Sequence, residues 1–290
     1  MATPSLLHDW LIPDWPAPAQ VRAMCTTRNG GVSAAPHDSL NLGLGTQDAP
    51  QAVAANWQRL QAALQAMQPD GQPVHPVRLR QIHGTAVLPI ERATPDQQAA
   101  DASTTSAAGV ACVVMAADCL PVLLTNRAGT RVAAAHAGWR GLAGGVLENV
   151  LQSFLAQTIA GKAMTAIESE AKNAGNAETV MAWIGPGIGA QAFEVGPEVR
   201  AAFVAHDPAA AQHFQARPGK ASCGGDKYLA DLAALARQRL RAAGVTSIHG
   251  NDSSKAWCTV ANASRFFSYR RDHRVLGGSG RMAALIWRCG

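Results

Sequence analysis

The alternation of apolar and polar positions divides the chain into short apolar runs separated by turn-rich stretches. Strand-like runs are Val21 to Arg28, Val77 to His83, Gly109 to Ala116, Pro121 to Thr125, Arg131 to His136, Val180 to Ile184 and Arg281 to Arg288. The runs flanking Asn126-Arg-Ala-Gly129 predict a hairpin, because a short Asn/Gly loop tolerates the positive φ that such a turn needs. Three stretches carry helical spacing instead. Between Asp48 and Met67, the residues Val53, Trp57, Leu60, Leu64 and Met67 recur every three or four positions and form one stripe. After Gly141, Val146, Leu147, Val150, Leu151, Phe154 and Leu155 share one side. A third helix is predicted from Tyr228 to Ala243, with Asp226 as its cap and Gly244 as its stop. The segment Ala156 to Thr179, rich in Ala, Glu, Lys, Asn and Gly, reads as a solvated excursion.

Strands outnumber helices and do not alternate strictly with them. That pattern predicts an α+β fold of layers with mixed sheets rather than a doubly wound parallel sheet. Hydrophobic residues make up 48% of the 290 positions and charged ones only 16%, enough for a large core in one domain spanning residues 1–290. Neither a G-x-G-x-x-G fingerprint nor a G-x-x-x-x-G-K-[ST] loop occurs, which argues against dinucleotide or P-loop nucleotide binding.

The formal charge of +5 is scattered, apart from Arg270-Arg271 and neighbouring Arg265 and Arg274. Such a distribution suits small anionic ligands and predicts no nucleic-acid partner, since a duplex-binding surface wants a denser basic stripe. No apolar run reaches the roughly 18 residues of a membrane span, so no membrane partner is expected. The N-terminus lacks the basic start and long apolar centre of a signal peptide, which makes the cytoplasm the expected address. The six cysteines, at 25, 112, 119, 223, 258 and 289, form no C-x-x-C pair and read as isolated thiols for packing or chemistry. The oligomeric state is left open.

His83, Cys119 and His136 each fall at or near the end of a strand-like run, where side chains from different strands can meet at one sheet edge. Two imidazoles and a thiolate make a three-ligand set for zinc, with a further position for water or substrate. Packed cysteine and hydrogen-bonded core histidine remain the alternative on spacing alone. Arg28, before Gly30-Gly31, is a candidate anion contact, and Asn41 offers a donor and an acceptor to a base or ribose; turn formation and capping are their other readings. Arg140 faces substrate or, with Trp139, fixes the loop carrying His136. Asp118 is the candidate acceptor for a ligand histidine. Arg270 and Arg271 close the pocket or form a solvated rim. Gly138 and Gly141 leave room for close approach.

Segments such as Arg80-Gln-Ile-His-Gly84, Ala117-Asp-Cys-Leu-Pro-Val-Leu-Leu124 and His136-Ala-Gly-Trp-Arg-Gly-Leu142 resemble, in the same order, those of the YfiH-like or laccase-domain family, also called multicopper polyphenol oxidase or purine nucleoside phosphorylase. Thr26-Thr-Arg-Asn-Gly-Gly-Val-Ser33 and Ser39-Leu-Asn-Leu-Gly43 precede them in the same order. Further along come Ile184-Gly-Pro-Gly-Ile-Gly189, Phe193-Glu-Val-Gly196, Cys258-Thr259 and Phe266-Phe-Ser-Tyr-Arg-Arg-Asp272. The resemblance implies a layered α/β/β/α sandwich like the cytotoxic-necrotizing-factor catalytic domain. It also implies a catalytic zinc on His83, Cys119 and His136. The family's G-P-C-I-G cysteine is Gly187 here, and the pocket edges at Ala100 to Thr105 and Ser279-Gly-Arg281 are less closely matched.

The activity implied is phosphorolysis of adenosine, inosine, guanosine and methylthioadenosine, with purine nucleoside and phosphate as partners and adenosine deamination beside it. The name laccase implies copper instead. A multicopper oxidase needs H-x-H pairs, yet no two of the nine histidines are separated by a single residue, and Met115 precedes Cys119 rather than following it as an axial ligand. A copper-dependent polyphenol oxidase therefore stands as an alternative, with copper a possible occupant. Two others are a hydrolase editing peptidoglycan precursors, with Cys119 as nucleophile and His136 as base, and a purely structural zinc site.

Overall fold

The apolar stripe of the first predicted helix packs on one face of a sheet, as its spacing requires. The structure is a computed structural model and describes residues 9–68, 71–160, 180–217 and 226–290. The first half of the chain runs β1 (Val21–Cys25), α1 (Pro50–Ala66), β2 (His75–Arg78), β3 (Val87–Pro89), β4 (Ala102–Thr105), β5 (Val110–Ala116), β6 (Leu120–Asn126) and β7 (Val132–Ala137). Then come α2 (Trp139–Gly144), α3 (Val146–Ala160), β8 (Val180–Ile184), β9 (Glu194–Val195), α4 (Pro197–His206), β10 (Phe214–Arg217) and β11 (Lys227–Ala230). The last elements are α5 (Leu232–Ala242), β12 (Ser247–Gly250), α6 (Tyr269–Leu276) and β13 (Met282–Arg288).

One sheet has the strand order β1-β13-β5-β2 and a second β12-β8-β6-β7-β4-β3, with a small β10-β11-β9 sheet beside them. Both large sheets are mixed: β2 runs parallel to β5, and β12 parallel to β8, while β13 and β5 or β6 and β7 are antiparallel. The α+β reading with mixed sheets therefore holds.

Strand alternation distributes the side chains between layers. From the first sheet, Met24, Val113 and Leu285 pack with Val53, Trp57, Leu60 and Leu64 of α1. Their neighbours Ala23, Val114 and Ile286 face the second sheet and meet Leu123, Ala134 and Trp183. The opposite face of the second sheet, with Val122, Leu124 and Ala135, is covered by Val150 and Phe154 of α3, Phe203 of α4 and Leu235 of α5. Helix, sheet, sheet and helix thus stack in that order. Leu60, Leu64 and Leu285 are fully buried, and each such side chain contributes about 1.5–3 kcal/mol by leaving water.

Five expectations need correction. The third helix starts at Leu232 rather than Tyr228, because Lys227–Ala230 pair with β10 and β9 as a strand. Its cap is Asp231, whose carboxylate accepts from Ala234 N at 2.9 Å, and not Asp226. The second helix begins earlier, at Trp139, and Gly145, at φ +100°, breaks it into α2 and α3. Strand β2 ends at Arg78 and so does not reach His83. Beyond it, the side-chain amide of Gln81 donates to Met115 O and accepts from Met115 N, both at 2.7 Å, and stands in for the backbone ladder that a longer strand would have made. Residues Ala156 to Ala160 of the expected excursion continue α3. Residues 161–179, Cys223 and the Leu155 side chain lie outside the described ones.

Candidate metal centre

Strand pairing brings the two inner donors together. In the β6/β7 hairpin Leu120 lies opposite Ala137, so Cys119, just before β6, and His136, near the end of β7, share one sheet edge. Strand β4 lies on the other side of β7, with Ala102 opposite Ala135, which puts Asp101 beside His136. His83 arrives from the loop joining β2 to β3, and hence from one sheet to the other. The ligating atoms of His83, Cys119 and His136 all lie within 4.8 Å of one another. Cys119 Sγ and His83 Nε2 are 4.0 Å apart, and the two imidazoles meet edge to face with centroids 4.9 Å apart. This is the one group of three or more such donors among the described residues that can hold a metal ion.

Asp101 organises the group. The carboxylate is fully buried and accepts the backbone N–H groups of Ile82, His83 and Gly84 at 3.1, 2.9 and 2.7 Å. His83 takes φ +58°, and the left-handed turn points three successive N–H groups at one anion. Asp101 Oδ1 also lies 2.9 Å from His136 Nδ1, which leaves Nε2 as the free donor nitrogen of that ring. Burial works to raise the Asp101 pKa, but the bonds from His136, Gly84 and Ile82 outweigh it and hold the carboxyl below its ordinary range. Asp101 is the lone charged residue between Gln97 and Gly109, which is the signal in the sequence that could have found it.

The same environment tunes the thiol. Burial raises the Cys119 pKa, but hydrogen bonds and charges from His136 and then His83 overcome it and bring the value to about 6. Cys25 and Cys112, buried without such partners, are pushed up to about 12. Burial lowers the His136 pKa, while Asp101 and Cys119 pull it up to about 9. A thiolate facing two imidazoles fits zinc, whose usual ligands these are.

The close approach that Gly138 and Gly141 permit is by the protein itself. A Cβ at Gly138 would sit 3.0 Å from Cys119 Sγ and 3.1 Å from His83 Cδ2, and one at Gly141 would sit 2.7 Å from Gly84 O. Asp118, expected to support a histidine, does other work. Its carboxylate accepts from Thr259 Oγ1 at 2.5 Å and Arg270 N at 2.6 Å, which ties the start of α6 to the residue before Cys119. Asp118 does so at φ +93°, a conformation that non-glycine residues rarely adopt.

The three donors line a cavity of about 610 Å³ with Arg80, Trp139, Phe193, Tyr269, Arg270 and Arg281. Arg28, Asn41 and Arg140 are not among its lining residues. Arg28 is committed to Asp38 O, Asp38 Oδ1 and Ala263 O. Asn41 is fully buried and bonds Thr46, Asp48, Gly43 N and Arg281 N. Arg140 is exposed and stacks 4.4 Å over Trp139, the loop-fixing alternative. Of the expected arginine pair only Arg270 lines the cavity; Arg271 bonds Asp272, Thr259 O and Phe266 O. The sequence reading did not single out Arg80, and it took Arg281 for a strand residue at a pocket edge.

Residues 22–289 match a family model described as multi-copper polyphenol oxidoreductase laccase. The chain is 45% identical over 284 residues to a purine nucleoside phosphorylase of Pseudomonas aeruginosa, covering 97% of this chain and 99% of that one. It is 46% identical over 277 residues to the Escherichia coli purine nucleoside phosphorylase YfiH, covering 96% and 98% of the two chains. The crystal structure of a Neisseria meningitidis DUF152 protein superposes with a TM-score of 0.77 at 44% identity, covering 97% of this chain and all of that one. Motif order, layer architecture and these four likenesses agree, and the chain belongs to the laccase-like YfiH (DUF152) family.

Proposed function

We propose that the chain is a zinc-dependent purine nucleoside phosphorylase acting on adenosine, inosine, guanosine and methylthioadenosine, with adenosine deaminase activity at the same site. The observation that carries this reading is the His83, Cys119 and His136 group in the wall of a cavity that also holds arginines and aromatic rings. At about 610 Å³ the cavity falls within the range typical of small-molecule sites. Relatives bearing the name purine nucleoside phosphorylase support it.

Zinc held by His83, Cys119 and His136 supplies Lewis acidity at the cavity wall. Asp101 fixes the orientation of the His136 ring and the turn carrying His83. Tyr269, Trp139 and Phe193 offer apolar faces for a purine, and the guanidinium groups offer positive charge for phosphate. In phosphorolysis a phosphate oxygen forms the bond to the sugar C1′ as the bond to the purine nitrogen breaks. The electron pair leaves with the base, which takes up a proton. Deamination exchanges the adenosine amino group for a water oxygen and needs no phosphate.

One observation favours a second reading. Asp101, His136 and Cys119 form a carboxylate, imidazole and thiolate relay of the kind that activates a nucleophilic cysteine in hydrolases. The copper oxidase reading gains less support, because a single three-donor group among the described residues does not match a multi-copper set.

The test is incubation of the purified protein with adenosine, with and without phosphate, followed by identification of products. Adenine and ribose 1-phosphate are expected only with phosphate, and inosine in both cases. His83→Ala and Cys119→Ala are expected to abolish both, and unchanged product formation by either variant would overturn the reading. Zinc near one per chain, with activity lost to a chelator and restored by zinc, separates the phosphorylase from the metal-free hydrolase.

A further inference from the structure

Arg281 is held more firmly than a cavity-lining arginine needs to be. Its backbone N–H donates to the buried Asn41 Oδ1 at 2.8 Å, and its Nη1 donates to Ser279 O and Gly280 O at 2.8 and 3.0 Å. The side chain passes over Gly43, where a Cβ would meet Arg281 Cγ at 2.7 Å. The guanidinium carbon lies 5.6 Å from the centroid of the Tyr269 ring. Among the described residues no carboxylate pairs with Arg281, and its Nε and Nη2 have no hydrogen-bond partner. Asp118, on the same cavity, has its oxygens engaged by Thr259 and Arg270 N.

A guanidinium drawn out of water is costly unless an anion and hydrogen bonds compensate it. Burial is the leading influence on Arg281 and disfavours its charged form; the nearby Cys119, Asp118 and Tyr269 favour it by charge without bonding its Nε and Nη2, and the guanidinium remains a cation across the accessible pH range. The Nε and Nη2 edge is a planar two-donor fork, matched in spacing to two oxygens of a carboxylate or phosphate. Two other arginines line the cavity. Arg270, like Arg281, engages only its Nη1, on Ala192 O and Glu194 O at 3.4 and 3.1 Å, but it is solvent-exposed and lies 5.6 Å over the Phe193 ring, so water already serves its free edge. Arg80 is solvent-exposed, with no side-chain hydrogen bond among the described residues, a position suited to drawing anions inward rather than orienting them.

We propose that Arg281 grips the phosphate co-substrate, its Nε and Nη2 edge taking two oxygens of the tetrahedral oxyanion in the cavity that holds Cys119. Asn41 and Gly43 then act as positioning residues for this arginine, which gives the Leu-Asn-Leu-Gly motif a task other than touching a nucleoside. The inference rests on the phosphorolytic reading for the identity of the anion, and on the unpaired donor edge for its place.

The zinc-loaded protein and its Arg281→Met, Arg281→Lys and Arg80→Met variants are titrated calorimetrically with inorganic phosphate, and the KM values for phosphate and inosine are measured separately. Arg281→Met is expected to raise the phosphate KM about tenfold or more and leave the inosine KM within about twofold. Arg281→Lys keeps the charge without the fork and is expected to fall between. Arg80→Met is expected to weaken phosphate less than Arg281→Met does. Wild-type phosphate affinity in Arg281→Lys and Arg281→Met, or a larger loss in Arg80→Met, overturns the assignment. So does a wild-type protein that binds no phosphate. If Arg281→Met loses its circular dichroism, Arg281→Lys decides. Normal phosphorolysis with an unchanged phosphate KM in the variants defeats the Arg281 grip and leaves the phosphorylase reading standing. Phosphate binding that depends on Arg281 in a protein without phosphorolysis does the reverse.

Discussion

Asp101 Oδ1 lies 2.9 Å from His136 Nδ1, and the same carboxylate collects the N–H groups of the turn that carries His83. One buried anion therefore sets two of the three candidate metal donors, although His83 and His136 come from segments far apart in the chain. Asp101→Asn keeps the shape but replaces an acceptor oxygen with an NH₂ group that faces other donors. Zinc affinity, measured by competition with a chelator, is expected to fall about 10–100-fold. Unfolding free energy in urea should fall by about 1–3 kcal/mol, the cost of a buried polar group left unsatisfied. Wild-type zinc affinity in this variant would show that the donors hold their places without the carboxylate.

The thiol gives a pH signature. In the metal-free protein Cys119 titrates at about 6 and His136 at about 9, so a thiolate and an imidazolium coexist between those values. Alkylation of Cys119 by iodoacetamide is expected to rise with pH through a midpoint at about 6 to a plateau about one pH unit or more higher, because only the thiolate reacts. Below that midpoint the rate drops about tenfold per pH unit, as the thiolate fraction does. Cys25 and Cys112, pushed to about 12 and buried, stay unmodified in the folded protein. Peptide mapping by mass spectrometry measures all three, and zinc is expected to protect Cys119. A Cys119 midpoint near the ordinary 9.0 would mean that the imidazoles do not act on the thiol.

Much of this arrangement is legible in the chain because local pattern and long-range pairing agree. Asn126 to Gly129 closes a hairpin whose register puts Cys119 and His136 at one sheet edge, and the stripe of α1 meets an alternating sheet face. The misread parts depend on partners that no local window contains. Asp226 and Asp231 are both plausible caps, and only the pairing of β11 with β9 and β10 decides between them. Helix α6 has almost no apolar stripe and is held at its start by Ser268 Oγ, which accepts from Arg271 N, and by Asp118, which accepts from Arg270 N. Its Arg270-Arg271 pair consequently reads, in the sequence, as either a pocket closure or a solvated basic rim. In the sequence Arg28 reads as the anion contact and Arg281 as the start of a strand; in the fold Arg28 spends its donors on Asp38 and Ala263, whereas Arg281 keeps its Nε and Nη2 edge free.

Gly138 separates the demands of the metal centre from those of the fold. It precedes α2 at φ −68°, a backbone angle open to any residue, so alanine there brings no backbone strain. Its Cβ would nonetheless press on Cys119 Sγ at 3.0 Å and His83 Cδ2 at 3.1 Å, two atoms that belong to the donor side chains themselves. The cheapest relief is for both side chains to shift by a few tenths of an ångström, which spreads the donors. Gly138→Ala is therefore expected to lower zinc affinity about tenfold or more, with stability of the zinc-free protein within about 1 kcal/mol of wild type. Competition titration and urea unfolding of the stripped protein measure the two effects separately. Equal losses in both would place the pressure on the β7–α2 junction rather than on the donors, and an unchanged zinc affinity would show that the centre tolerates displacement.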